Sequence, residues 1–368
     1  MQKILTLIIT IFLLGISASV THAKEPATPE LNLSSVIELA IKNSKELKKA
    51  NLDIEKTEEK KEYSSNQLSY TPVIGWTYNP QLDVLWYTVL SDDLSYQMSK
   101  RNQNVQQDKL ILDTCQKYWN VLKAQENVKK SELNVKMMEM ELRQVQALGR
   151  VGMSPSGMGP QMALKQAEGA LTSAQANLTA AQNELDSAYD NLNQQIGLWP
   201  QDRPILIDEV EFSPVEIDDI QIHVQRVVES SPIVWLANEG VTMAKYSQEL
   251  VYATGQYTPY KIRNIELEQA ELGAISAEKA VKIATREMYY SVLNMEENYR
   301  AAEQRRIAAE EALRVANISY KVGMSTKLDV VKAEVALVEL EKGLMDIAIS
   351  HVYMKLVLYK PWAVSPGA

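Results

Sequence analysis

Residues 167–192 read AEGALTSAQANLTAAQNELDSAYDNL, and their apolar positions are spaced alternately by four and three residues. These positions are Ala167, Leu171, Ala174, Leu178, Ala181, Leu185, Ala188 and Leu192. The same spacing recurs at Ala333, Leu337, Leu340, Leu344, Ile347, His351, Met354 and Leu358. A sustained repeat of about 3.5 residues keeps one seam of a helix against a neighbouring helix. The pattern predicts two long coiled-coil helices, and alanine in the first seam permits close approach.

Two segments of the chain repeat one another, which is informative because repeats define the unit of the fold. Residues 118–122 match residues 289–293 at an offset of 171 (289 minus 118), and the same offset carries residues 151–154 onto residues 322–325. Both of the latter segments read Val-Gly-Met-Ser. Beyond this turn the offset is 166 (333 minus 167), so the first turn holds five extra residues. They fall within 155–160, where glycine and proline break helices.

We therefore predict an all-α or mainly α fold made of two tandem repeats of long coiled-coil helical hairpins. The first repeat covers residues 24–198, a proline-containing linker covers 199–214, and the second repeat covers 215–368. An ascending helix from Asn104 to Leu148 would be about 65 Å long at 1.5 Å per residue, which indicates an extended rod. Short helices, Leu33–Leu47 and Ile217–Val234, are expected to precede the two hairpins.

Composition and motifs exclude several functional classes. The 368 residues are 46% hydrophobic and carry a formal net charge of −9, with lysine and arginine dispersed among acidic residues, so no nucleic acid partner is expected. Phosphate-binding, nucleophile-elbow and zinc-protease motifs do not occur, which argues against an enzyme and against a cofactor. The three histidines are isolated, so no metal site is expected, and His351 lies at a seam position where packing is its predicted role. Cys115, the only cysteine, has no intrachain partner for a disulfide.

The N-terminus has the features of a secretory signal. A lysine at position 3 precedes an apolar run from Ile4 to Ile16, and Thr21-His22-Ala23 provides a small-residue ending. The alternative is a permanent anchor, but the run is shorter than the ~20 residues that span a bilayer. We expect residues 1–23 to be a signal peptide and the protein to be exported to the cell envelope.

The hairpin turns carry a resemblance to a known family. Tyr320, Gly323 and Asp329 form the pattern aromatic, two residues, glycine, five residues, aspartate, and a returning coiled-coil helix follows. In these features the chain resembles the TolC-like outer membrane efflux proteins over nearly its whole mature length. The resemblance implies a TolC-like α-barrel protomer and a homotrimer. It also implies export of substrates through a duct that is joined by a periplasmic adaptor (membrane fusion) protein to an inner-membrane transporter.

The same resemblance implies roles for residues at the turns. The adaptor-docking tips would comprise Val151, Gly152, Met153, Ser154, Tyr320, Val322, Gly323, Met324 and Ser325. Ordinary glycine-containing helix turns are the alternative reading of these residues. Asp329 matches the acidic aperture position of the family, although it could instead be a solvated acid in the first turn of a helix. Lys332 stands where a second aperture acid is expected, which argues against a strongly acidic gate.

The chain departs from the family at the membrane end. Family members insert long strands into each repeat, whereas residues 70–78, 82–87 and 251–262 have room for short strands at best. We therefore expect little or no β-barrel, with the mode of membrane attachment left open. The location would be the outer membrane, or the periplasm-facing envelope, in an organism that has an outer membrane. The alternative function is a non-transporting coiled-coil scaffold of the envelope.

Overall fold

The computed structural model describes residues 28–68, 80–151, 153, 159–250 and 252–364, and the predicted signal peptide lies outside these ranges. Helices account for most of this part of the chain. They are α1 (Leu33–Asn43), α2 (Lys45–Asn66), α3 (Pro80–Arg150), α4 (Pro160–Ile196), α5 (Ile220–Ser230), α6 (Pro232–Glu249), α7 (Tyr260–Lys321) and α8 (Lys327–Tyr359), followed by a 3-10 turn at Pro361–Ala363. The predicted mainly α fold with long helical hairpins is confirmed.

The two hairpins pair α3 with α4 and α7 with α8. Helix α3 contains 71 residues and α7 contains 62, so they extend for about 107 Å and about 93 Å. The predicted seam positions of α4 are buried or half-buried, and Ala167, Ala174 and Ala181 are at most 9% exposed. Because alanine is small, α4 lies close against α3 along this seam. The seam positions of α8 are also buried or half-buried, which confirms the second coiled-coil helix.

The strand candidates at the far end of the hairpins are not strands where the structure describes them. Residues 82–87 belong to the start of α3, and Leu90 and Leu94 in the next turns line a cavity shared with α6. Helix α3 therefore begins well before the predicted start at Asn104. Extending an existing helix is favourable, and packing against α6 adds to this. Residues 252–256 form a turn and a bend, and residues 257–259 are irregular before α7 begins at Tyr260. The candidate at 70–78, and Val251, lie outside the described residues.

The short helices before each hairpin are each followed by a second helix after a single serine. Ser44 separates α1 from α2, and Ser231 separates α5 from α6, both with extended backbone. Each serine hydroxyl accepts a hydrogen bond from the backbone of the next helix, from Leu47 at 3.2 Å and from Val234 at 3.5 Å. Serine is a favoured N-cap because its oxygen satisfies an otherwise unpaired N–H group. The prediction of short helices before each hairpin is confirmed, but the bounds 33–47 and 217–234 are wrong, because each helix ends before its serine and the second begins at Ile220.

The helices form a layer that is one helix thick. Near the hairpin turns they contact in the order α4, α3, α8, α7, and in the other half in the order α2, α3, α6, α7. The short helices lie beside the long ones. At the end of α1, Asn43 Nδ2 donates to the Ile196 carbonyl of α4 at 2.6 Å, and His223 Nε2 of α5 lies 3.2 Å from the Leu358 carbonyl oxygen of α8.

One face of this layer is covered. The cover consists of α1 and the segment that joins the repeats, and its core is a buried cluster in which Val36 of α1 packs with Tyr118 of α3 and Leu192 of α4. Two short strands, β1 (Glu30–Leu31) and β2 (Ile205–Leu206), pair in parallel and fasten the segment to the N-terminal end of the cover. None of the described helices is both long enough and apolar enough to cross a membrane.

Candidate functional site: hairpin tips and a polar face

The second hairpin tip is a tight turn built around Gly323. Its φ of +77° lies in the left-handed region, where a residue without Cβ is favoured. The Met324 N–H donates to the Ser319 carbonyl at 2.8 Å, and the Gly323 N–H donates to the Tyr320 carbonyl at 3.1 Å. This arrangement satisfies carbonyl groups at the end of α7 and reverses the chain within a few residues.

Asp329 closes a capping box at the start of α8. Its carboxylate accepts hydrogen bonds from the backbone N–H of Thr326 at 2.8 Å and from the Thr326 hydroxyl at 2.7 Å. The Asp329 N–H donates back to the Thr326 hydroxyl at 3.3 Å. The backbone and side-chain hydrogen bonds from Thr326 lower the pKa of the Asp329 carboxyl, because they favour its charged form.

This geometry accounts for Asp329 as a capping acid without reference to an aperture. Lys332 occupies the second candidate aperture position. Its Nζ lies 3.6 Å from Oε1 of Glu141 in α3, in an exposed ion pair. The contact places the start of α8 beside the end of α3, so the two tips are neighbours at one end of the layer. The aperture role of both residues stays a prediction.

The tips expose apolar side chains at matching positions of the repeats. Val322 and Met324 are 64% and 83% exposed at the second tip, and Val151 and Met153 are 68% and 63% exposed at the first. Tyr320 is partly exposed, with the Lys327 ammonium 5.6 Å from its ring centre. Exposed apolar side chains grouped at one end of a molecule are typical of a contact surface for a partner.

Only some of the remaining predicted tip residues lie in the described part of the chain. The Ser325 hydroxyl reaches the Ala316 carbonyl at 3.4 Å, so this residue helps to close the turn. Gly152 and Ser154 lie outside the described residues, as do residues 155–158 of the predicted insertion. At the first tip, the Met153 N–H donates to the Leu148 carbonyl at 3.0 Å, and α4 begins at Pro160.

The face of the layer opposite the cover is polar. One groove runs between α3 and α4 and is lined by Asp113, Gln116, Lys117, Asn120, Lys123, Glu184, Ser187, Ala188 and Asn191. Asn120 lies two residues from Tyr118 and from Leu122, which pack against the cover. At about 100° per residue, Asn120 therefore points away from the cover. The polar groove and the covered core occupy opposite faces of α3.

The second hairpin repeats this division. Asn298 and Arg305 of α7 line a groove with Asp346 and Ser350 of α8. Asp346 lies two residues from Leu344, which lines a cavity beneath the joining segment. The Asp346 carboxylate also lies 3.5 Å from Lys123 Nζ of α3, so an ion pair joins the two hairpins at this face. Both hairpins thus present mixed charges and amides on the same side.

A buried polar network, of which the sequence pattern shows only His351 at a seam position, anchors the joining segment to the second hairpin. Glu296 of α7 accepts hydrogen bonds from the Val215 N–H at 2.7 Å and from His351 Nε2 at 3.2 Å. The Phe212 ring stacks on Tyr299 with centroids 3.7 Å apart. His351 is fully buried, so its predicted packing role is accompanied by a polar one. No group of three or more metal-ligating side chains occurs in the described ranges.

The sequence matches no protein-family model and no curated protein. Several solved structures are similar over most of the chain. CusC, whose crystal structures concern folding and transmembrane channel formation, is 16% identical with a TM-score of 0.64, and the match covers 92% of this chain and 93% of CusC. The outer membrane protein VceC of Vibrio cholerae is 13% identical with a TM-score of 0.61, covering 90% and 96%.

The outer membrane channel CmeC of Campylobacter jejuni is 13% identical with a TM-score of 0.60, and the match covers 95% of this chain and 92% of CmeC. At these identities the similarity establishes the fold. The chain has the TolC-like fold of these channel proteins, as the resemblance at the hairpin turns predicted.

Proposed function

We propose that the chain is the protomer of a trimeric duct that exports substrates across the cell envelope. The observation that carries the proposal is the division of the one-helix-thick layer into a polar face and a covered face. A solid bundle buries an apolar centre between its helices, whereas the wall of a water-filled duct needs a solvated face along its length. The polar grooves of both hairpins lie on the same side, as such a wall requires.

The edge of the layer supports assembly from several copies. Helix α7 forms one edge and exposes Ile265, Leu272, Ile283 and Tyr290, which are 45–58% exposed. Their spacings of 7, 11 and 7 residues place them on one face of the helix, since 18 residues complete five turns. An apolar stripe along a free edge is suited to lie against the opposite edge of a second copy. Three such contacts would close the layer into a trimer.

In this duct, the two neighbouring tips would dock a periplasmic adaptor protein that joins the duct to an inner-membrane pump. Exposed valine and methionine support this role, because methionine adapts its shape to an apolar partner. The protein would be exported and placed in the outer membrane of an organism that has one.

Channel formation is tested with the mature protein by light scattering in mild detergent and by conductance in planar bilayers. Asn120→Lys adds one positive charge per protomer to the polar face, so it should shift ion selectivity toward anions. Gln225→Lys adds the same charge on α5, outside both polar grooves, and should leave selectivity unchanged. A soluble monomer or dimer without conductance would contradict the duct and favour the envelope scaffold.

Adaptor docking is tested by placing a photo-crosslinking amino acid at position 324 in living cells. We expect a crosslinked product that mass spectrometry identifies as a membrane fusion protein. Position 222 is the control, because Ile222 is also exposed, at 53%, but lies on α5 away from the tips. Equal crosslinking to the same protein from both positions would argue against specific docking at the tip.

A further inference from the structure

An apolar groove lies near the C-terminal end of the described chain, between α3, α6 and the 3-10 turn. Its volume is about 590 Å³, which is within the range of small-molecule sites. Ten of its twelve lining residues are apolar, and the two polar ones are Arg101 and Asn102. We call it the C-terminal groove. Its walls include Met98, Trp235, Leu236, Met288 and Trp362.

The wall formed by the C-terminal turn is held in place by the body of the protein. Trp362 Nε1 donates to the Asp108 carboxylate at 2.9 Å, and the Lys360 ammonium pairs with the same carboxylate. Ala363 is buried in a cluster with Leu112 and Val357. Because these contacts fix the turn, the groove exists before any ligand arrives, which lowers the entropy lost on binding.

Among the residues that the structure describes, Arg101 is the only charged one that lines the groove. Its guanidinium lies over the Trp235 ring, 4.2 Å from the ring centre. It forms no ion pair with a carboxylate among the described residues, although Glu239 shares a neighbouring cavity with it. The nearby Asp93 carboxylate is instead paired with Lys61 at 2.7 Å. The groove therefore places one cation, to which an anion can bind, beside a long apolar surface.

We propose that the C-terminal groove binds a long-chain fatty acid, with its alkyl chain along the apolar wall and its carboxylate on Arg101. An alkyl chain needs no hydrogen bonds, and each methylene that it removes from water favours binding. A peptide fits less well, because few polar groups are present to satisfy its backbone amides. A guanidinium can hold a carboxylate through two parallel hydrogen bonds. This inference does not depend on duct formation.

The test uses the mature protein and the fluorescent fatty acid 11-(dansylamino)undecanoate, below its micellar concentration. We expect saturable binding of one probe per chain, and displacement by dodecanoate at concentrations at least about tenfold lower than by dodecan-1-ol, because only the acid pairs with Arg101. Arg101→Met keeps an apolar stem and should bring dodecanoate to the affinity of the alcohol. The affinity for the alcohol should not change.

Arg226→Met is the matched control, because it removes an exposed cation from α5 and should leave both affinities unchanged. A second variant, Leu236→Trp, should fill the groove and weaken the probe, the acid and the alcohol together. Binding of the fluorescent probe that does not saturate would overturn the proposal, as would an unchanged affinity of Arg101→Met for dodecanoate. Binding that Leu236→Trp does not affect would place the ligand elsewhere.

Discussion

Gly197→Ala should destabilise the protein more than the same change at Gly323, although both glycines have nearly equal left-handed backbones. Gly197 ends α4 with a φ of +78°, and Gly323 has a φ of +77°. A Cβ at residue 323 would meet no atom within 4 Å, whereas a Cβ at residue 197 would lie 2.8 Å from Cγ and Nδ2 of Asn43. The two positions therefore share the backbone penalty and differ in their surroundings.

The magnitude follows from these two contributions. A non-glycine residue in the left-handed region costs about 1–2 kcal/mol, and this is the whole effect expected for Gly323→Ala. At residue 197 the Asn43 side chain must also move, and it donates to the carbonyls of Ile196 and Leu39. Loss of these hydrogen bonds adds about 1–2 kcal/mol. We expect about 3 kcal/mol in total for Gly197→Ala.

The measurement is urea unfolding followed by circular dichroism of the helices, with both single variants at the same protein concentration. The double variant Gly197→Ala with Asn43→Ala lacks the obstructing side chain. Its destabilisation should therefore be smaller, by about 1–2 kcal/mol, than the sum of the destabilisations by Gly197→Ala and Asn43→Ala alone. Equal destabilisation by the two alanine substitutions, or strict additivity in the double variant, would refute the packing argument.

Three further predictions concern the tip and the buried network. Glu296→Ala should destabilise the protein by about 3 kcal/mol in urea unfolding, because the buried His351 ring and the half-buried Val215 N–H lose their acceptor. The same change at the exposed Glu297 should cost at most about 1 kcal/mol. The pKa of Asp329 is lowered in the folded state, so its contribution to stability should be present above pH 3.8, its usual pKa, and be lost as pH falls through the lowered pKa. The melting temperatures of wild type and Asp329→Asn should therefore converge in acid. Met324→Asp should leave melting unchanged and abolish adaptor crosslinking from position 322.

The tip motif could be located from sequence because its chemistry is local. A glycine three residues after Tyr320 ends one helix, and Thr326 with Asp329 begins the next. Such signals depend on a few neighbouring residues, so they are visible in one segment of chain. The network of Glu296, His351 and Val215 could not be found in the same way, because its members come from three distant segments. Its one hint is the polar His351 at an otherwise apolar seam position.

The sequence by itself determined the helical hairpins, their seams and their repetition, because a spacing of about 3.5 residues and a glycine turn act over short distances. Only the tertiary structure decided where α3 begins, how the short helices pack beside the long ones, and which face is covered. Residues 82–87 illustrate the difference, since their apolar character suits a strand or a helix equally, and continuity with α3, which contacts α6 in the following turns, selects the helix. The polar face likewise emerges only when the two hairpins lie side by side.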